Sequence, residues 1–208
     1  VAIEALAEGL KSMINELRKD PLALETAAIS MISFASKAQQ LNSLTDLINF
    51  KMPTLRLGSG TALGKALELV EQCIDREIIK SSTDRKGDFK PIIFIMTDGE
   101  PTDSWEAQAD RFKTTITGKK ANVIAVAIGP DADTTKLQRI TDTILIMREV
   151  GSESFKRFFK WVSASVSVSS QKLEMSGEKG INLPIPPGES IELAHPNEIR
   201  EISESDRL

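Results

Sequence analysis

The 208-residue sequence has one cysteine, Cys73, and one histidine, His195. A single cysteine excludes an intrachain disulfide and fits a reducing compartment. His195 has no second His or Cys near it in sequence, so it lacks the partners of a His/Cys metal site. Long apolar runs are missing as well. The longest, 92–96 and 123–128, hold five and six residues, whereas a membrane-spanning helix needs about 20. There is no basic excess: 26 basic against 30 acidic residues leaves a net charge of −4. Residues 1–169 carry 22 charges of each sign, so all the net charge lies beyond them. A neutral body offers no field to attract nucleic acid or anionic lipid.

What is present is the composition of a folded domain: 40% apolar and 27% charged residues. A chain this long buries roughly 70% of its extended surface, enough for one sizeable core. Ile3, Leu6, Leu10, Met13, Ile14 and Leu17 recur at helical spacing, and Asp20-Pro21 ends that helix. Residues 24–34 are apolar or small on both faces, as in a strand buried on both sides, and 41–47 suit an edge strand. A helix follows the glycines at 58–60, with Leu63, Leu67, Val70 and Ile74 inward and Cys73 packed among them. Then come a strand at 92–97, a helix at 104–117, a strand at 121–128, a short helix at 133–141, a short strand at 144–147 and a helix at 152–168. Strands alternating with helices predict an α/β fold: a doubly wound, mostly parallel sheet with helices on both faces. Residues 170–208 differ, with four prolines, no aromatic residue and eight acids against four bases. They predict an extended or weakly ordered acidic tail after a domain at 1–169.

Two segments carry chemistry. The glycine loop at 58–65, GSGTALGK, is not a P-loop. The first required glycine is Ser59, and the Mg²⁺-binding hydroxyl is replaced by Ala66. The second segment, Thr97-Asp98-Gly99-Glu100-Pro101-Thr102-Asp103, follows a fully apolar strand. Ligands of open parallel sheets bind at the carboxyl ends of strands, where Asp98 stands. A carboxylate there suits a cation. Turn chemistry is the alternative, with Asp98-Gly99 and Pro101-Thr102-Asp103 closing the strand and capping the helix at 104–117. Asp98 and Asp103 have no nucleophile with an adjacent base beside them, which argues against an enzyme.

Taken together, these segments resemble a von Willebrand factor A (VWA) domain, a Rossmann-like fold. The likeness is to the TerY-like proteins of bacterial tellurium-resistance clusters. It is carried by Asp20-Pro21-Leu22-Ala23-Leu24-Glu25, by 60–67 (GTALGKAL), by 86–91 (KGDFKP) and by 96–105 (MTDGEPTDSW), within residues 1–169. The resemblance implies a metal-ion-dependent adhesion site (MIDAS) built from three loops. Thr61 matches the second loop and Asp98 the third. Hydroxyl and carboxylate oxygens suit Mg²⁺ or another divalent cation. The first loop's D-x-S-x-S motif is absent, so binding by this chain is expected to be weak. In the family that motif follows a central first strand, between 24–34 and 92–97, which is also absent. These strands are therefore expected to flank a central strand that lies outside the chain or comes from another segment.

The function implied is a non-enzymatic, cytoplasmic, metal-dependent protein-binding module of a tellurite-resistance or stress-response system. Its surface would comprise Ser59, Gly60, Glu100 and Trp105 around the metal residues. Trp105 is readable either as a packing anchor or as part of that surface. The partner would present an acidic side chain, with a kinase or PP2C-like phosphatase of the same cluster as candidates. The alternatives are a degenerate scaffold without metal and a Mg²⁺-dependent phosphohydrolase. No P-loop is present to support the latter.

Overall fold

A computed structural model of the protein describes residues 2–80, 83–84, 87–129, 134–176 and 191–194. Helix α1 (Ala2–Leu17) forms where the apolar periodicity places it, burying Ala5, Met13, Ile14 and Leu17. A short helix, α2 (Pro21–Thr26), follows. The Asp20 carboxylate accepts from the Leu22 and Ala23 amides at 3.0 and 3.3 Å, and Pro21 sits at the first helical position. This cap takes the start of the 24–34 run out of the strand expected there. Strand β1 (Ala28–Phe34) then pairs antiparallel with β2 (Ala38–Asp46).

The main sheet is built from β3 (Ile92–Thr97), β4 (Asn122–Ile128) and β5 (Ile144–Met147), parallel and in that order. Between them in sequence lie α4 (Glu106–Thr115) and α5 (Thr134–Leu137). Helix α3 (Leu63–Glu77) precedes β3, and α6 (Ser152–Ser176) follows β5. A last strand, β6 (Glu192–Leu193), joins β5 antiparallel, with the Ala194 amide donating to Ile144 O at 2.9 Å. Ile191 and Ala194 are buried. These four described residues of the acidic tail therefore belong to the sheet and core, not to a detached appendage. His195 lies outside the described residues.

Alternation along the strands feeds two cores. Ile124 and Val126 of β4, with Leu145 and Met147 of β5, face α1 and α6. There Phe158 meets Phe94 edge-on at 5.7 Å and Phe159 at 5.0 Å. Val123, Ala125 and Ala127 face the other way, onto Leu63 and Leu67 of α3 and Ala109 and Phe112 of α4. Among the described residues no helix is long and apolar enough to cross a membrane.

One expectation about the sheet changes. Strands β3 and β4 are parallel neighbours as expected, but β1 is in a separate two-stranded sheet. Among the described residues no ladder joins β1 to β3. Yet both contribute to the same cores: Ile29, Met31, Phe94 and Met96 to one, Phe34 and Ile95 to the other. The missing ladder leaves a trace in burial. Residues 123–127 of β4 are all buried, whereas β3, just as apolar, buries only Ile95 fully. Strand β1, expected to be covered on both faces, is likewise half-buried at most. The β1–β2 hairpin is instead held to α3 through Glu77. Its carboxylate accepts from the Leu44 amide at 2.6 Å, the Gln40 amide at 2.9 Å and Arg76 at 2.5 Å. Burial pushes Glu77 up, but these hydrogen bonds outweigh it and hold the carboxyl below its ordinary range.

Candidate functional site

Three loops meet at the carboxyl end of β3. Past Thr97 the chain turns at once, with the Gly99 amide reaching back to Thr97 Oγ1 at 3.4 Å. Asp98 is left at the tip of this turn, exposed. The loop before α3 lies against it: a β-carbon on Gly99 would come within 3.2 Å of Thr61 Oγ1. The loop after β1 supports the other side, where the Ala62 amide donates to Ala35 O at 2.7 Å. Thr61 and Asp98, 37 positions apart in sequence, thus sit on adjoining loops. Neither the Thr61 hydroxyl nor the Asp98 carboxylate is bonded to another described residue. Two such oxygens, one charged and one neutral, are the donor types of a hard divalent cation. Among the described residues no three Asp, Glu, His or Cys side chains gather as a metal cluster.

The rest of the third loop does what its local sequence does not predict. The Thr102 hydroxyl accepts from the Thr61 amide at 2.9 Å, and the Thr102 amide donates to Thr61 O at 2.9 Å. Asp103 accepts from the Gly64 and Lys65 amides at 3.1 and 3.0 Å. It therefore caps α3, not the following helix as the turn reading expects. Helix α4 starts at Glu106 behind Trp105, without a side-chain cap. Asp103 finds α3 across 39 residues of sequence, a contact that no local pattern announces. Thr102 was readable only as a turn residue for the same reason.

Of the two roles open to Trp105, the structure shows the packing anchor. It is 7% exposed, joins the α3–α4 core, and carries the Arg139 guanidinium 5.5 Å above its ring. Arg139 is fixed in turn by Asp110 at 2.9 and 2.5 Å, a bond that holds the Asp110 carboxyl below its usual range. Ser59 and Gly60 are exposed beside Thr61. Glu100 is exposed too, but it is ion-paired with Lys136 of α5. Cys73 is buried, and burial pushes its thiol up, which suits an inert packing role. A groove of about 300 Å³ between α3 and the third loop, lined by Gly64, Lys65, Glu68, Asp103, Ser104 and Gln108, includes neither Thr61 nor Asp98. Its charged, solvated lining is unlike an enclosed small-molecule pocket.

Residues 3–161 match the von Willebrand factor type A domain. The chain belongs to the von Willebrand factor type A family. Domains of this family generally mediate metal-dependent protein interactions and are typically non-enzymatic. The VWA fold is shared with a von Willebrand factor type A protein from Catenulispora acidiphila, at a TM-score of 0.61 and 18% identity. The alignment covers 79% of this chain and 38% of that one. Proximal thread matrix protein 1 from the mussel byssus, in a structure with a zinc-occupied MIDAS motif, aligns at a TM-score of 0.56 and 17% identity. That alignment covers 79% of this chain and 43% of the mussel protein, so the present VWA chain spans less than half of either relative. No curated protein gives a significant sequence match.

Proposed function

We propose that this chain is a divalent-ion-dependent protein-binding module, with Thr61 and Asp98 as its ion ligands. The observation that carries this is the placement, on adjoining loops at the carboxyl end of β3, of two oxygen-bearing side chains that are bonded to no other described residue. The zinc-occupied MIDAS motif of the mussel protein supports a divalent cation in a VWA domain of this shape. Mg²⁺ suits the donor set, because it needs few protein oxygens and keeps several waters. A divalent ion held by one carboxylate and a neutral hydroxyl keeps net positive charge, which an acidic side chain of a partner neutralises. Ser59 and Gly60 form the exposed surface around it. Glu100 borders it in its ion pair with Lys136, and Trp105 supports it from beneath.

Two ligands make a weak site. Among the described residues no ladder joins β1 to β3, which leaves room for one more strand there, whose loop would add the D-x-S-x-S donors. The residues shared with TerY-like proteins, above all 96–105, support a place in a tellurite-resistance or stress-response assembly. The kinase or PP2C-like phosphatase of such a cluster is the candidate partner.

Calorimetric titration with Mg²⁺ tests the ligands. Asp98→Ala is expected to abolish binding with little change in thermal stability, because Asp98 is exposed and bonded to no described residue. Unchanged binding removes Asp98 from the site. Co-precipitation of the cluster kinase and phosphatase, with and without EDTA, tests the partner. Equal recovery in both favours a scaffold that works without metal.

A further inference from the structure

We propose that Thr102 and Asp103 are positioning residues that set Thr61 against Asp98, a role that rests on the ion-binding reading above. Thr61 lies in the stretch between β2 and α3, 47–62, which has no helix or strand of its own to hold it. Its backbone is instead gripped on both sides by Thr102, through the reciprocal pair of 2.9 Å hydrogen bonds. Asp103 extends the grip by one turn, with one carboxylate oxygen on the Gly64 amide and the other on the Lys65 amide. Four hydrogen bonds from two consecutive residues thus register the second loop on the third.

The seam they close has no slack. Gly60 has a φ of +78°, and a β-carbon there would come within 3.1 Å of Thr102 Oγ1. The third loop is itself anchored two residues later by Trp105, buried beneath Arg139. Asp98 and Thr102 share that loop. Holding Thr61 to Thr102 therefore also fixes where the Thr61 hydroxyl stands relative to the Asp98 carboxylate. A cation bound by two separate loops gains from this, because neither loop has to be ordered at the moment of binding. The clasp supplies no ligand of its own; it acts through Thr61.

The test combines amide hydrogen exchange at Thr61 with Mg²⁺ titration, in wild type, Thr102→Val, Thr102→Ser and Asp98→Ala. Valine keeps the shape of threonine and removes the acceptor; serine restores it. Thr102→Val is expected to speed Thr61 exchange and raise the Mg²⁺ Kd, each by up to about tenfold, the loss of one hydrogen bond. Thr102→Ser should return both to near wild type. Asp98→Ala should lose Mg²⁺ while leaving Thr61 protected, which separates the clasp from the ligand. Faster exchange with an unchanged Kd in Thr102→Val overturns the positioning role, and so does unchanged exchange. Wild-type protein that takes up no Mg²⁺ overturns the ion reading and the positioning role with it, even where Thr61 remains protected.

Discussion

Gly64→Ala should destabilise this protein, although glycine-to-alanine changes inside helices usually do the reverse. Gly64 is the second residue of α3, where alanine gains up to about 1 kcal/mol of helix propensity. The new methyl group, however, would meet Ser104 O and Trp105 Cα at 2.9 Å and Asp103 Oδ2 at 3.2 Å. The first two are backbone atoms and have no rotamer into which to retreat. Trp105 is pinned by burial and by Arg139, so the loop resists moving as a whole. Overpacking of this kind costs about 1–3 kcal/mol. Displacing Asp103 also weakens the α3 cap, worth about 1 kcal/mol. The clash and the lost cap outweigh the propensity, leaving a net loss of about 1–3 kcal/mol. For a domain of this size that is a fall in Tm of roughly 3–10 °C. Urea unfolding should show a lower midpoint at unchanged slope, and the Mg²⁺ Kd should rise as the loops part. A Gly64→Ala protein more stable than wild type would refute the close seam between α3 and the third loop.

The remaining predictions concern pH and the sheet. Glu77 is held below its ordinary range in the folded state, so its stabilisation is full above the unfolded carboxylate range and is lost as pH falls through the lowered value. Glu77→Gln should therefore flatten the acid limb of a stability-against-pH curve; an unchanged slope would mean the contacts with Leu44, Gln40 and Arg76 do not matter in solution. Native-state hydrogen exchange should protect β4 more than β3, because among the described residues β4 has ladder partners on both sides and β3 on one. Equal protection of the two strands would show that the flank between β1 and β3 is closed in solution.

Some of this was legible in the chain and some was not, and particular residues show why. Asp98 stood out because it directly follows an apolar strand, where ligands of parallel sheets bind, although turn chemistry read the same residues equally well. Thr61 stood out only through the resemblance, as the match to the family's second metal loop. Asp103 was visible only as a turn residue, since its partners, the amides of Gly64 and Lys65, come from another element. Trp105 could be read two ways because an aromatic residue at a helix start serves either a core or a surface, and only burial decides. The α2 helix was missed because LETAA suits a strand as well as a helix; the Asp20 carboxylate and Pro21 tipped the balance.

Periodicity and turn residues alone determined the alternation of strands and helices, the parallel pairing of β3 with β4, and the place of Thr61 and Asp98 at loop ends. These are short-range properties, set by how neighbouring side chains share a face and by where the backbone must turn. The tertiary structure decided the rest: which strands share a sheet, which helix Asp103 caps, that Glu192–Leu193 returns to pair with β5, and that Trp105 points inward. Each depends on a contact between distant segments. The free energy of such a contact comes from burial and from satisfying buried backbone groups, which exist only once the layers have assembled.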